Sequence, residues 1–275
     1  MKNPQGIMAC YFRSWRDTAT GNPDNKVCMR DLPDEVDIAL VFPDGNEPAD
    51  YWNKLESDII PALHLKQIKV VRTVAIDELI KPGATANDIF QRFFSSTQGL
   101  DGLDIDIEHT LDTDDREQAQ RISRELRALL GPSNLLIYDA NEMGDVSLLR
   151  SLEGELDYVL FQAYGQTPSR VQEHFDRMFK DFLDPSKFLV GFSFYEERGA
   201  QWGDVREPFE SSTAYAYAIW NPSQGSKGGI FSYAVDRDVS TDSAPSPAPR
   251  QTWRRYQPEF SAPAHATAPP RPGHN

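Results

Sequence analysis

The chain has 275 residues, with 42 Asp and Glu against 28 Lys and Arg and a formal charge of −14. That acid excess excludes a binder of nucleic acid or of anionic membrane surfaces, each of which needs a basic footprint. No apolar run approaches the roughly 18 residues of a spanning helix, so the chain reads as one large domain or two small ones.

The N-terminus, MKNPQGIMACYF, has no basic–apolar–small-residue leader pattern. A cytosolic protein and one whose leader lies outside this sequence both stay open. The first strand is expected at Ile7–Phe12, followed by Val36–Phe42, Ile68–Val74 and Gly102–Ile107. The series continues with Leu135–Tyr138, Leu156–Gln162, Phe188–Phe192 and Gly229–Tyr233. Helical spacing falls between them. Tyr51–Lys66 carries Trp52, Leu55, Ile59 and Leu63 on one face, and Asn87–Thr97 carries Ile89, Phe93 and Phe94. Asp114–Leu130 opens on acids suited to a helix N-terminus and stops at Gly131-Pro132. Val171–Phe182 and Thr213–Trp220 show weaker periodicity. Cys10 and Cys28 form neither a CxxC nor a His/Cys metal pattern; one bridge between them stays open but is not implied, and they read first as two inert thiols.

Short strands alternating with helices predict an α/β fold whose parallel strands are joined by crossovers. An open dinucleotide-binding sheet wants a Gly-rich turn after its first strand. Here Phe12 is followed by Arg13-Ser14-Trp15-Arg16-Asp17. Eight units instead fit a single (β/α)8 TIM barrel over residues 1–239. Residues 240–275 hold eight of the 20 prolines, four Arg and two acids, which leaves the barrel at −16. That tail is expected to be mostly disordered, with Thr252–Tyr256 able to dock back on the barrel.

Residues 101–109 read DGLDIDIEH, so Asp104, Asp106 and Glu108 recur at every second position. In a strand they share one face, and Leu103, Ile105 and Ile107 share the other. The isoleucines belong against helices, which turns the acids into the barrel lumen, where bulky aliphatics normally sit. Three carboxylates at low dielectric are costly. An exposed edge strand would avoid that cost, but the apolar alternate face argues against one. A metal site suits carboxylates, yet ligands two apart on one strand differ in depth by about 6–7 Å and do not converge unaided. Acid–base catalysis needs what the pattern offers. Glu108 falls at the C-terminal mouth, with Asp106 and Asp104 progressively deeper, and neighbouring carboxyls that cannot all ionise divide their roles.

DGLDIDIEH resembles the DGxDxDxE signature of glycoside hydrolase family 18, the chitinases and endo-β-N-acetylglucosaminidases. The resemblance runs from about Gly6 to Asp238. YFRSWRD, DIALVFPDG, GFSFYEE and GGIFSYAVDRD further resemble bacterial endoglycosidases that act on antibody N-glycans. It implies a retaining reaction without an enzyme nucleophile, in which the substrate's 2-acetamido carbonyl attacks the anomeric carbon. Glu108 would be the acid and base, Asp106 would orient the acetamide, and Asp104 would exchange a proton with Asp106. Tyr164 would donate to the acetamide carbonyl, and Gln162, two residues before it, would hydrogen-bond the acetamide or a neighbouring sugar.

Family chitinases often carry Met at the Gln162 position and a Trp on strand eight, where this chain has Phe231-Ser232-Tyr233. Both departures lean toward the endoglycosidases. Tyr233 and Tyr11 are candidates for the sugar floor, with Phe42 more readily core. Loop candidates for substrate contact are Glu196, Glu197, Arg13, Trp15, Asp139 and Trp220. The expected protein is a monomeric endo-β-N-acetylglucosaminidase acting on N-glycans of glycoproteins, without metal or organic cofactor. The resemblance implies a secreted or cell-envelope location. The rivals are a chitinase and a non-catalytic glycan-binding barrel, and relatives of the latter kind usually lose the acid that Glu108 retains.

Overall fold

In the computed structural model, which describes residues 6–194, 199–206 and 208–238, eight parallel strands close into a barrel in chain order. They are β1 (Ile7–Arg13), β2 (Ile38–Phe42), β3 (Lys69–Ala75), β4 (Gly102–Ile107), β5 (Leu135–Ala140), β6 (Tyr158–Phe161), β7 (Phe188–Ser193) and β8 (Gly229–Tyr233). The helices are α1 (Ala49–Lys54), α2 (Ile60–Leu65), α3 (Ile76–Ile80), α4 (Ala86–Ile89), α5 (Thr113–Leu130), α6 (Val146–Ser151), α7 (Pro168–Met178) and α8 (Thr213–Ile219). The architecture is the single (β/α)8 barrel. The tail and its Thr252–Tyr256 segment lie outside the described residues.

Strand alternation divides the apolar residues into two layers. Leu103, Ile105 and Ile107 of β4 pack outward with Ile122 and Leu126 of α5. Ile38, Leu40, Val71, Ile137, Leu160, Leu189 and Phe231 face inward and fill the lumen. At Gly191 on β7 an added Cβ would lie 2.3 Å from Phe231 Cζ, so the missing side chain is what admits that ring.

The helix expected over Tyr51–Lys66 is interrupted. A wider π turn, Leu55–Ile59, joins α1 to α2. Pro61, in the first turn of α2, has no N–H for the regular ladder, and one lost bond suits a local change of register. A second π turn, Phe90–Ser95, extends α4 over the segment expected at Asn87–Thr97. Helices α3 and α6 carry no advance signal, because five or six residues are too few for a 3.6-residue period to show. Asp145 starts α6 by accepting from Leu148 N at 2.8 Å. Strand β5 runs two residues beyond its expected end, which puts Asp139 inside the strand. Cys10 is buried and Cys28 half-buried, and both are free thiols.

Candidate active site

Strand β4 carries its acids from the barrel floor to its mouth. Asp104 is fully buried, Asp106 half-buried and Glu108 exposed. Asp104 sits between Thr73 of β3 and Ile137 of β5 in the register. Its Oδ2 accepts from Tyr11 Oη at 2.8 Å and from Thr73 Oγ1 at 2.9 Å. Burial pushes its carboxyl up to about 7, against the pull of those two bonds. Asp106 is pushed up to about 8, first by burial and then by the charges of Glu108, Asp104 and Asp77. Tyr11 and Tyr164 have hydroxyls held well above the usual range, chiefly by burial, so both remain donors.

Glu108 Oε1 accepts from Gln162 Nε2 at 2.8 Å. The same nitrogen donates to Asp139 Oδ2 at 3.0 Å. A pocket opens above this group, lined by Tyr11, Phe42, Asp106, Glu108, Asp139, Gln162, Tyr164, Trp202 and Tyr233. Carboxyls and amide thus share the pocket with an aromatic wall. Tyr164 stacks on Tyr233 with ring centres 5.6 Å apart, Tyr233 meets Phe42 edge-on at 6.0 Å, and Trp15 lies 6.0 Å from Phe42. A face of apolar rings opposite hydrogen-bonding groups suits a sugar ring, which presents C–H on one side and hydroxyls around its edge.

Several sequence candidates land elsewhere. Arg13 is 4% exposed, and its Nη2 lies 2.6 Å from Asp236 Oδ2, so it braces β1 against the turn after β8 rather than reaching into the mouth. Trp220 ends α8, and a crossover helix returns the chain to the N-terminal end of the barrel. Its ring lies 6.5 Å from Phe188, the first residue of β7, at the end opposite Glu108. Tyr11 lines the pocket, but its hydroxyl is engaged by Asp104. Asp139, expected in a loop, is a buried strand residue beside Asp106 in the register. Glu196 and Glu197 lie outside the described residues.

Trp202 escaped the sequence reading. It ends the short turn Gly199–Trp202 after β7, with its ring 5.2 Å from that of Tyr164. Gly165 permits this approach: it has φ +72°, and an added Cβ would lie 2.0 Å from Gln201 O. Asp204 ties the loop down by accepting from Ser193 N at 3.0 Å and Gly165 N at 3.1 Å. A tryptophan in the connection leaving a strand's C-terminal end was the available signal.

The buried carboxyls carry a stability cost with a defined sign. Unfolded Asp titrates near 3.9, whereas folded Asp106 holds its proton up to about 8. Between those values the folded state binds more protons, so this residue's contribution falls as pH rises. Asp106→Asn is therefore expected to stabilise the fold by an amount that grows from pH 5 to pH 8. At pH 8 the gain should exceed about 1 kcal/mol, roughly the value of one pKa unit. Urea unfolding of both proteins across that range measures it. A gain independent of pH would contradict the assigned burial cost.

The comparisons agree with the geometry. A family model described as the endo-β-N-acetylglucosaminidase EndoS TIM-barrel domain matches residues 10–232. Endo-β-N-acetylglucosaminidase F2 of Elizabethkingia meningoseptica is 34% identical over 256 residues, covering 86% of this chain and 75% of that protein. EndoSd of Streptococcus dysgalactiae is 31% identical over 279 residues, but the match covers only 33% of its length against 84% of this chain. The solved structure of a Cordyceps militaris endo-β-N-acetylglucosaminidase superposes with a TM-score of 0.82 at 39% identity, covering 98% of this chain and 92% of that one.

Proposed function

The chain belongs to the endo-β-N-acetylglucosaminidases of glycoside hydrolase family 18 and is a glycoside hydrolase, and on that premise we propose that it cleaves the β-1,4 bond of the N,N′-diacetylchitobiose core of N-linked glycans. A mutant of the Cordyceps militaris enzyme has been solved with fucosyl-N-acetylglucosamine-Asn, the kind of remnant such a cut leaves. The observation that carries the proposal is the depth order on β4. Glu108 is reachable at the pocket, the half-buried Asp106 lies below it on the strand, and Tyr164 is among the pocket's lining residues.

In the proposed reaction Glu108 protonates the glycosidic oxygen as the bond breaks. The 2-acetamido carbonyl oxygen of the same sugar attacks the anomeric carbon from the opposite face and forms an oxazolinium ion. Asp106 accepts from the acetamide N–H through an oxygen that has no protein partner among the described residues. Tyr164 donates to the acetamide oxygen and fixes it for attack. Burial raises the carboxyls of both Asp104 and Asp106, so the pair retains a proton that passes between them as positive charge develops on the sugar. Glu108, now a carboxylate, deprotonates the incoming water, and the anomeric configuration is retained. Activity on glycoproteins would place the enzyme at the cell envelope or in the medium, where it would act as a monomer.

The second reading is a chitinase with the same chemistry. The aromatic wall disfavours it, because Tyr233 rather than a tryptophan occupies β8. Mass spectrometry of a mixed glycoprotein panel, with chitin oligomers in parallel, separates the two. Glycans should be released with one GlcNAc left on each asparagine. Intact glycoproteins beside degraded chitin oligomers would overturn the proposal.

A further inference from the structure

One amide nitrogen joins two carboxyls in this pocket. Gln162 Nε2 donates to Glu108 Oε1 at 2.8 Å and to Asp139 Oδ2 at 3.0 Å. The two acceptors differ in freedom. Glu108 is exposed at the mouth, where an unanchored side chain exchanges rotamers within nanoseconds. Asp139 is 3% exposed and held in β5, paired in register with Asp106. Asp139 Oδ1 has no partner among the described residues, although the residue lines the pocket. A buried carboxyl with one bare oxygen calls for a reason.

We infer that Asp139 is a positioning residue for the proton transfer at Glu108, acting through Gln162. This rests on the acid–base role proposed for Glu108. A primary amide has two N–H groups on one side and a carbonyl oxygen on the other. With Asp139 Oδ2 accepting one N–H, the amide cannot turn its oxygen toward the carboxyls without losing that bond. The second N–H is then aimed at Glu108 Oε1, which leaves Oε2 as the oxygen that delivers the proton to substrate. Gln162 in turn is placed by the ladder, since its backbone N donates to Ala140 O at 2.9 Å, one residue beyond Asp139. The bare Oδ1 atoms have an account in the same terms. Burial and the charges of Asp106 and Asp104 raise the Asp139 carboxyl well above its usual range, which favours its protonated form. Asp106, its neighbour across the β4–β5 pair, also has a bare Oδ1. Protonation leaves the Asp139 Oδ1 uncharged, which lowers the cost of its lacking a partner.

The test is a double-mutant cycle on the intact chain, using Asp139→Leu, Gln162→Leu and the two together. With a glycan substrate, Asp139→Leu is expected to lower kcat by about tenfold or more while KM stays within about threefold, the pattern of a transition-state effect. Asp139→Asn should return kcat to within about threefold of the wild type, because its carbonyl still accepts from Gln162. In the Gln162→Leu background, Asp139→Leu should add less than about twofold. A raised KM with unchanged kcat, or equal losses in both backgrounds, would overturn the inference. A substrate-free readout separates it from the proposed function. The Gln162 side-chain amide resonance, identified by its absence in Gln162→Leu, should shift in Glu108→Gln and lose that response when Asp139→Leu is added. An undiminished response sinks the inference whether or not glycan is cleaved. A lost response without glycan cleavage supports it and refutes the function. If Asp139→Leu does not fold, Asp139→Ala takes its place in every arm.

Discussion

Glu108→Gln is expected to lower glycan hydrolysis by about 10²–10⁴-fold, the usual contribution of a positioned general acid and base. That range corresponds to about 3–5 kcal/mol of transition-state stabilisation. Both halves of the proposed reaction pass through this carboxyl, so nothing else in the pocket takes over its proton. The fold should be unaffected. Glu108 is exposed, and a glutamine there still presents a carbonyl oxygen to Gln162 Nε2, the partner that holds Glu108 in place. Thermal unfolding and glycan release from one preparation decide the matter. A variant that keeps its rate within tenfold, or that loses stability along with activity, would remove Glu108 from the central role.

Asp106→Asn should separate the two halves. Asparagine keeps an oxygen that accepts from the acetamide N–H but removes the charge that would face the oxazolinium ion. Loss of one such electrostatic contact costs about 10²–10³-fold in forming the intermediate. A preformed sugar oxazoline bypasses that step, so its turnover should stay within about tenfold of the wild type. Equal loss on glycan and on oxazoline would refute this division of labour. The variant's expected gain in stability at pH 8 makes the result easy to interpret. A chain that folds better and works worse has lost a function that its buried carboxyl had been kept for.

The legible part of the site follows one rule. On β4 the alternation of Leu103, Ile105 and Ile107 with Asp104, Asp106 and Glu108 sorts the two faces from local sequence alone. Asp139 shows the limit of that rule. Its parity on β5 is readable from the segment LLIYDA once the strand's end is known. Its pairing opposite Asp106 comes from the register between β4 and β5, which is set by closure of the whole barrel. Arg13 looked like a mouth residue because it follows an apolar run. Its partner Asp236 is 223 residues away, so no local pattern announces their ion pair. Trp220 is a different case. Its position at the end of a helix assigns it to the far end of a barrel, whatever its aromatic character suits it to bind.

Eight apolar strands, six of the eight labelled helices and the acidic motif were determined by the sequence, because strand and helix periods are local consequences of backbone geometry. The charge of −14 on 275 residues excluded polyanionic partners but said nothing of chemistry. The tertiary structure decided which acids share a solvent-poor lumen and which nitrogen bridges Glu108 to Asp139. It also decided that Trp202 completes the wall beside Tyr164. Those contacts join residues dozens of positions apart. They exist only once closure of the sheet has set their depth and register.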